Sequence, residues 1–401
     1  MLFNSLAFAV FFPLAVLGYF LTPQRGRWAW LLAASYIFYA WWRVDYLLLI
    51  AFSTLVDYGA ALGMGRQNER RKRLPFLLLS LTSNLGLLFV FKYYGFFADS
   101  VAAVLGMAGR DVTFSGLDIL LPVGISFYTF QTLAYTIDVF RGRQEPERHL
   151  GIFALYVSFF PQLVAGPIER SQHLLPQFRQ EYAPDRARMA SGLRMMLWGL
   201  VMKCVVADRL APYVDTVYSA PEAFGGAATW MATYAFAFQI YADFAGYSLV
   251  AIGAARVLGF DLMQNFARPY FSKSISEFWR RWHISLSSWF RDYLYIPLGG
   301  NRVSRARFYT NILIVFAVSG LWHGAAWPFV IWGALHGLYL IIGAATGAAR
   351  DRLWARVGPQ AVAGVRASGV ALGDGVQRWV RVFITFHLAV FAWVFFRART
   401  M

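Results

Sequence analysis

A chain of 401 residues that is 58% hydrophobic, 18% aromatic and only 14% charged, with a mean hydropathy of +0.48, lacks the polar surface of a soluble domain. The formal net charge of +16 does not mark a nucleic-acid binder, because the basic residues fall in short clusters between apolar runs rather than on one face or in a tail. One cysteine, Cys204, excludes an intrachain disulfide and a cysteine metal cluster; with no histidine or acid nearby it reads as small apolar packing.

About 20 apolar residues cross a bilayer's hydrocarbon core. The first run, 2–21, follows a start without the basic region of a signal peptide, so it reads as an uncleaved helix. Further candidate spans are 28–41, 46–64, 74–97, 117–139, 190–210, 228–257, 308–327, 329–347 and 376–396. The expectation is one integral-membrane domain over 1–401, an all-α polytopic transmembrane helical bundle of about ten spans with re-entrant or interfacial helices, its partner the lipid bilayer. The loop 66–73, with Arg70, Arg71, Lys72 and Arg73, is the strongest cytoplasmic marker, and counting back places the N-terminus outside. Counting forward puts Arg141, Arg143 and Arg148 inside and the acidic loop 211–227 outside, provided that 150–166 enters and leaves on one face. Pro161, Gly166 and Pro167 supply that re-entrant path with breaks. The stretch 266–301 is too charged to span and too aromatic for a solvated loop, which suits an interfacial or re-entrant helical element. Residues 350–378, with Gly358, Pro359, Gly373 and Gly375, read as the linker.

Six histidines are the candidates for chemistry. His149 and His173 lie in charged loops and read as solvated surface. His336 and His387 lie in spans, where donation to a helix carbonyl or a neighbouring side chain is the structural expectation. His323 sits in an apolar stretch, 312–342, without Lys, Arg, Asp or Glu, and an imidazole at membrane depth marks a functional site. Gly320, Gly324 and Pro328 allow irregular backbone around it. A helix of about 36 residues would run near 54 Å, so a break is expected around 324–328. His283 has Trp279 and Ser287 at i−4 and i+4, which on one helix would share a face. No acid is in register to make Ser287 a nucleophile, and no zinc motif joins His283 to His323, so neither a metal nor a tightly bound cofactor is expected. Gln239 and Asp243 lie four residues apart on one helical face, either supporting the site or pairing with a buried polar partner. A lone histidine base suits acyl transfer from a thioester to an alcohol: imidazole takes the hydroxyl proton near neutral pH, and the thiolate leaves without help. A transporter or export subunit of an exopolysaccharide complex and a non-catalytic scaffold are the readings from other classes.

These residues carry a resemblance. The run Phe278-Trp279-Arg280-Arg281-Trp282-His283-Ile284-Ser285-Leu286-Ser287-Ser288-Trp289-Phe290-Arg291-Asp292-Tyr293, then 295–301 and Gly320-Leu321-Trp322-His323-Gly324, resembles the membrane-bound O-acyltransferases, in particular their bacterial alginate O-acetyltransferase branch. Residues 121–127, 159–168 and 239–247 extend the likeness over nearly the whole chain. The resemblance implies His323 as the essential embedded histidine and His283 as the second one of the active site. Trp322, Arg280, Arg281, Asp292, Gln239 and Asp243 stand as supporting residues, the two arginines either marking the cytoplasmic face or attracting the phosphates of a donor such as acetyl-CoA. It also implies a bacterial inner membrane, a thioester donor from the cytoplasm, a periplasmic acetyltransferase or other polysaccharide-modification subunit as partner, and, for the related D-alanyl transfer branch, an acyl carrier protein. Alginate-type members continue well beyond the motif at 393–398, so this chain is expected to be truncated or shorter than its relatives.

Overall fold

A computed structural model describes residues 1–349, 352 and 372–398, apart from 115, 117–119 and 165. Among these, every regular element is helical, and the chain forms two compact units: Met1–Val206 with Ala242–Met263, and Ala207–Tyr241 with Gln264–Met401.

The first unit opens with α1 (Leu6–Leu21) and α2 (Gln24–Ala40). The hydroxyl of Ser5 accepts the Phe8 N–H at 3.2 Å and caps α1. Gly18 lets the Trp30 ring reach the α1 backbone, where its indole donates to the Ala15 carbonyl at 2.9 Å; a Cβ at Gly18 would lie 2.1 Å from that ring. Next come α3 (Tyr46–Gly65) and α4 (Arg70–Leu88), the latter running through a π-helical turn, Phe89–Tyr93, into α5 (Tyr94–Met107). The basic cluster expected in the loop 66–73 instead forms the first turn of α4, where Arg73 donates to the Gln67 carbonyl at 2.7 Å. The span expected over 117–139 is helical only in α6 (Ile125–Phe140), because Gly124 turns left-handed (φ 80°) before it; 117–119 lie outside the described residues.

A polar network ties α3, α4 and α6 together. The Asp57 carboxylate accepts from Ser80 at 2.6 Å and Asn84 at 2.8 Å, Ser53 donates to Asn84 at 3.0 Å, and the Thr136 hydroxyl lies 3.1 Å from that of Ser80. All five are buried, so these bonds replace the water that the groups lose.

The segment 150–166 is interrupted as expected: α7 (Leu150–Ser158) stops at Phe159, and the short α8 (Phe160–Leu163) follows with Pro161 in its first turn. Phe153, Leu155, Tyr156, Phe159 and Phe160 are wholly buried, so this segment belongs to the unit's core. After α9 (Ser171–Leu174), α10 (Arg186–Leu200) continues by a second π-helical turn, Val201–Ala207, into α11 (Asp208–Ser219), so the expected loop 211–227 is helical as far as Ser219. Then α12 (Gly226–Leu258) contributes to both units, entering the first at Ala242. There Gly192 and Gly199 of α10 meet Gly253 and Gly246 of α12 so closely that a Cβ at Gly192 or Gly199 would lie 2.6 or 2.5 Å from the facing carbonyl oxygen. This seam leads to the pair of Lys203 and Asp243, 2.6 Å apart.

The second unit contains α11, the start of α12, α13 (Ile275–Arg281), α14 (Ile284–Phe290), a π-helical turn Arg291–Tyr295, α15 (Arg305–His323), α16 (Trp327–Ala345) and α17 (Leu372–Arg397). The break expected at 324–328 is present: α15 ends at His323, Gly324 is extended, and Pro328 occupies the first turn of α16. The two helices then cross backbone to backbone. A Cβ at Gly320 would lie 2.1 Å from the Phe329 carbonyl oxygen, and one at Gly333 2.1 Å from that of Phe316. Of the linker expected at 350–378, most falls outside the described residues, whereas Gly373 and Gly375 lie within α17.

Six stretches among the described residues are long and apolar enough to cross a membrane: Tyr46–Gly65, Arg70–Met107, Arg186–Ser219, Gly226–Leu258, Trp327–Ala345 and Gly375–Arg397. Leu6–Leu21 and Leu150–Leu163 are apolar but shorter, and the other spans expected from sequence fall on shorter or more polar helices.

Candidate active site

The second unit brings His283 and His323 together, with ring centroids 6.2 Å apart. Each reaches this place by a helix end. His323 is the last residue of α15, where Gly324 leaves the helix. His283 joins α13 to α14 in a left-handed conformation (φ 43°, ψ 57°), which costs a non-glycine residue about 1–3 kcal/mol and persists only where its surroundings impose it. Asn265 imposes it here: its carbonyl accepts the Ile284 N–H at 2.9 Å, and its side chain accepts the Ser285 hydroxyl at 3.0 Å. Phe266 lies parallel to the buried His283 ring at 6.4 Å.

The turn at His283 ends the face that Trp279, His283 and Ser287 would share on one helix. Ser287 donates to the Trp282 carbonyl at 3.2 Å, consistent with a capping role rather than a nucleophilic one. Around His323 stand Trp322, Trp332 and Phe396, at 4.9, 5.1 and 5.4 Å between centroids, and Trp393 stacks on Trp332 at 5.6 Å. Two of these rings come from α17, which Arg397 anchors through its bond to Asp215 at 2.5 Å. The Phe329 ring packs directly on Gly324, where a Cβ would lie 2.1 Å from it.

Beside this cluster is a cavity of about 1250 Å³ whose lining includes Lys273, Arg280, Arg291 and Arg381 and, among the described residues, no carboxylate. The rest of its wall is mostly apolar, with Trp279, Phe290, Phe316 and Tyr339 prominent. Neither histidine lines it, but Ser319, one turn before His323, and Ile284, next to His283, do. Arg280 and Arg281 diverge: Arg280 faces the cavity, whereas Arg281 is held by Glu277 at 2.6 Å. Asp292 bonds Arg291 at 2.8 Å and so orients one of the cavity's cations. Gln239 is half-buried in the second unit, and Asp243, in the first, has Lys203 as its polar partner.

The two histidines read as solvated surface are exposed, and each also makes a local structural bond. The Nδ1 of His149 accepts the Ile152 N–H at 3.2 Å to cap α7, and His173 bonds the buried Glu169 at 2.9 Å. His387 accepts the expected structural role, 2.8 Å from the Phe383 carbonyl. Sequence reasoning passed over Asp57, Lys92 and Lys203. Their signal was available, since each is an isolated charge in a long apolar run, and both lysines lie in π-helical turns, which often accompany functional sites.

Two histidines thus lie among aromatic rings, beside a cation-lined cavity, in a multi-pass helical membrane protein. The profile of the membrane-bound O-acyltransferase family matches residues 148–360. The chain is 41% identical to the probable alginate O-acetylases of Azotobacter vinelandii and Pseudomonas aeruginosa, across 100% of its own length and 76% and 73% of theirs. It is 35% identical to a peptidoglycan O-acetyltransferase of Helicobacter pylori, across 100% of its length and 78% of that protein's. The chain belongs to the membrane-bound O-acyltransferase family and is an O-acyltransferase.

Proposed function

We propose that this protein moves an acetyl group from a cytoplasmic thioester, acetyl-CoA in the first instance, toward hydroxyls of an exported polysaccharide such as alginate. It does so in the bacterial inner membrane, with its N-terminus on the periplasmic side and a periplasmic transferase as partner. The observation that carries this reading is the pairing of His283 and His323 next to a cavity that has, among the described residues, four cationic side chains and no acid. Lys273, Arg280, Arg291 and Arg381 attract the phosphates of the donor, whose pantetheine arm follows the apolar wall. At its thioester end, the acceptor hydroxyl attacks the carbonyl carbon while His323 takes the hydroxyl proton. The C–S bond then breaks, and the departing thiolate receives that proton from the imidazolium. His283 polarises the carbonyl or orients the acceptor. Trp322 packs against both imidazoles, at 4.9 Å from His323 and 5.9 Å from His283, and limits their rotation.

The test is polymer-linked acetyl ester in cells making the wild type or His323→Ala at matched membrane levels. Loss of a general base lowers transfer by about 10²–10⁴-fold. Ester at the wild-type level would remove His323 from the chemistry and return attention to a transport role.

A further inference from the structure

His336 of α16 is fully buried, with its ring 5.1 Å from those of both Trp279 and Trp332 and parallel to Phe278 at 6.0 Å. The Trp279 indole donates to His336 Nδ1 at 3.3 Å. Indole nitrogen only donates, so Nδ1 carries no proton; the ring is neutral and its hydrogen is on Nε2. That Nε2 meets no hydrogen-bond partner among the described residues. A phenylalanine would fill the same aromatic slot without burying an unpaired donor, and would lack only the acceptor for Trp279.

Trp279 belongs to the wall of the cation-lined cavity, while Trp332 meets His323 edge to face at 5.1 Å. His336 therefore stands between the cavity wall and the neighbour of the proposed base. We infer that His336 is a positioning residue: its Nδ1 fixes the Trp279 indole, and the two rings together seat Trp332 against His323, linking the shape of the cavity to the orientation of the base. This rests on the general-base reading of His323.

The test compares polymer-linked ester in cells carrying His336→Phe, His336→Asn, Trp279→Phe and the Trp279→Phe/His336→Phe pair, at matched membrane levels. The phenylalanine variant keeps the ring but removes the acceptor, and a misplaced reacting group lowers transfer by about tenfold to a hundredfold. Asparagine restores an acceptor near Nδ1 and recovers most of that loss. Trp279→Phe matches His336→Phe, and the pair shows no further loss, because both changes remove the same bond. The inference is overturned if His336→Phe retains wild-type ester, if asparagine fails to rescue, or if the two losses multiply. His323→Ala in the same cells separates the two readings: if it keeps wild-type ester the base assignment falls, and if it alone loses ester only the role of His336 falls.

Discussion

At residue scale, His283 separates chemistry from architecture, since one side chain holds both an imidazole and a left-handed backbone turn. Asparagine tolerates that conformation better than most residues. His283→Asn is therefore expected to insert and melt like the wild type while ester formation falls by about 10²-fold or more, as for loss of a proton-transfer or oxyanion group. Melting in detergent together with the ester assay checks this; a collapse of stability would instead make the residue structural. His323 was legible because an imidazole in an apolar run stands out from its neighbours, and His283 because of the motif that carries the family resemblance. Its left-handed turn was not, because the turn is imposed by Asn265, 18 positions earlier in the sequence. The same limit applies to Arg280 and Arg281, which look alike in sequence and are divided only by where Glu277 lies.

Elements in this protein are set against each other by glycine. Gly320 and Gly333 bring α15 and α16 into backbone contact, which fixes where α15 ends and hence where His323 sits. In Gly333→Ala the new methyl would meet the Phe316 carbonyl oxygen, part of a helix backbone that cannot rotate away. Overpacking of this kind costs about 1–3 kcal/mol. The expected result is a lower melting temperature in detergent with reduced ester; unchanged melting would show that the helices part freely. The break after His323 was legible from span length and Pro328. The seam was not, because glycine spacing does not say which helix faces it.

At the scale of the whole molecule, pH acts through polar clamps outside the spans. In the first unit, Glu169 accepts the Met263 N–H at 2.5 Å and bonds His173, whose Nε2 lies 3.8 Å from Asp261. The Glu169 hydrogen bond raises the His173 pKa above its ordinary value, and its charge and that of Asp261 add to the effect against partial burial. A raised pKa means the folded state holds the proton more tightly than the unfolded chain. The stabilisation is therefore full below about pH 6.5 and is lost as pH rises through the folded value. Part of the ring is exposed, so the effect is screened and is best seen at low salt. Between about pH 5.5 and pH 8 the wild type should lose more thermal stability than His173→Gln, with other carboxylates common to both. Parallel curves would remove His173 from the pH response.

The sequence by itself determined that the chain is helical, membrane-embedded and an O-acyltransferase, because hydropathy, span length and the motifs around His283 and His323 are local properties. Tertiary structure decided which residues meet. It brought the two histidines within 6.2 Å, drew rings from α16 and α17 around His323, and gave Asp57 and Asp243 their partners. The physical reason is that lipid-facing and core-facing apolar residues have the same composition, so helices here are matched through small-residue seams and buried polar pairs rather than through hydrophobicity.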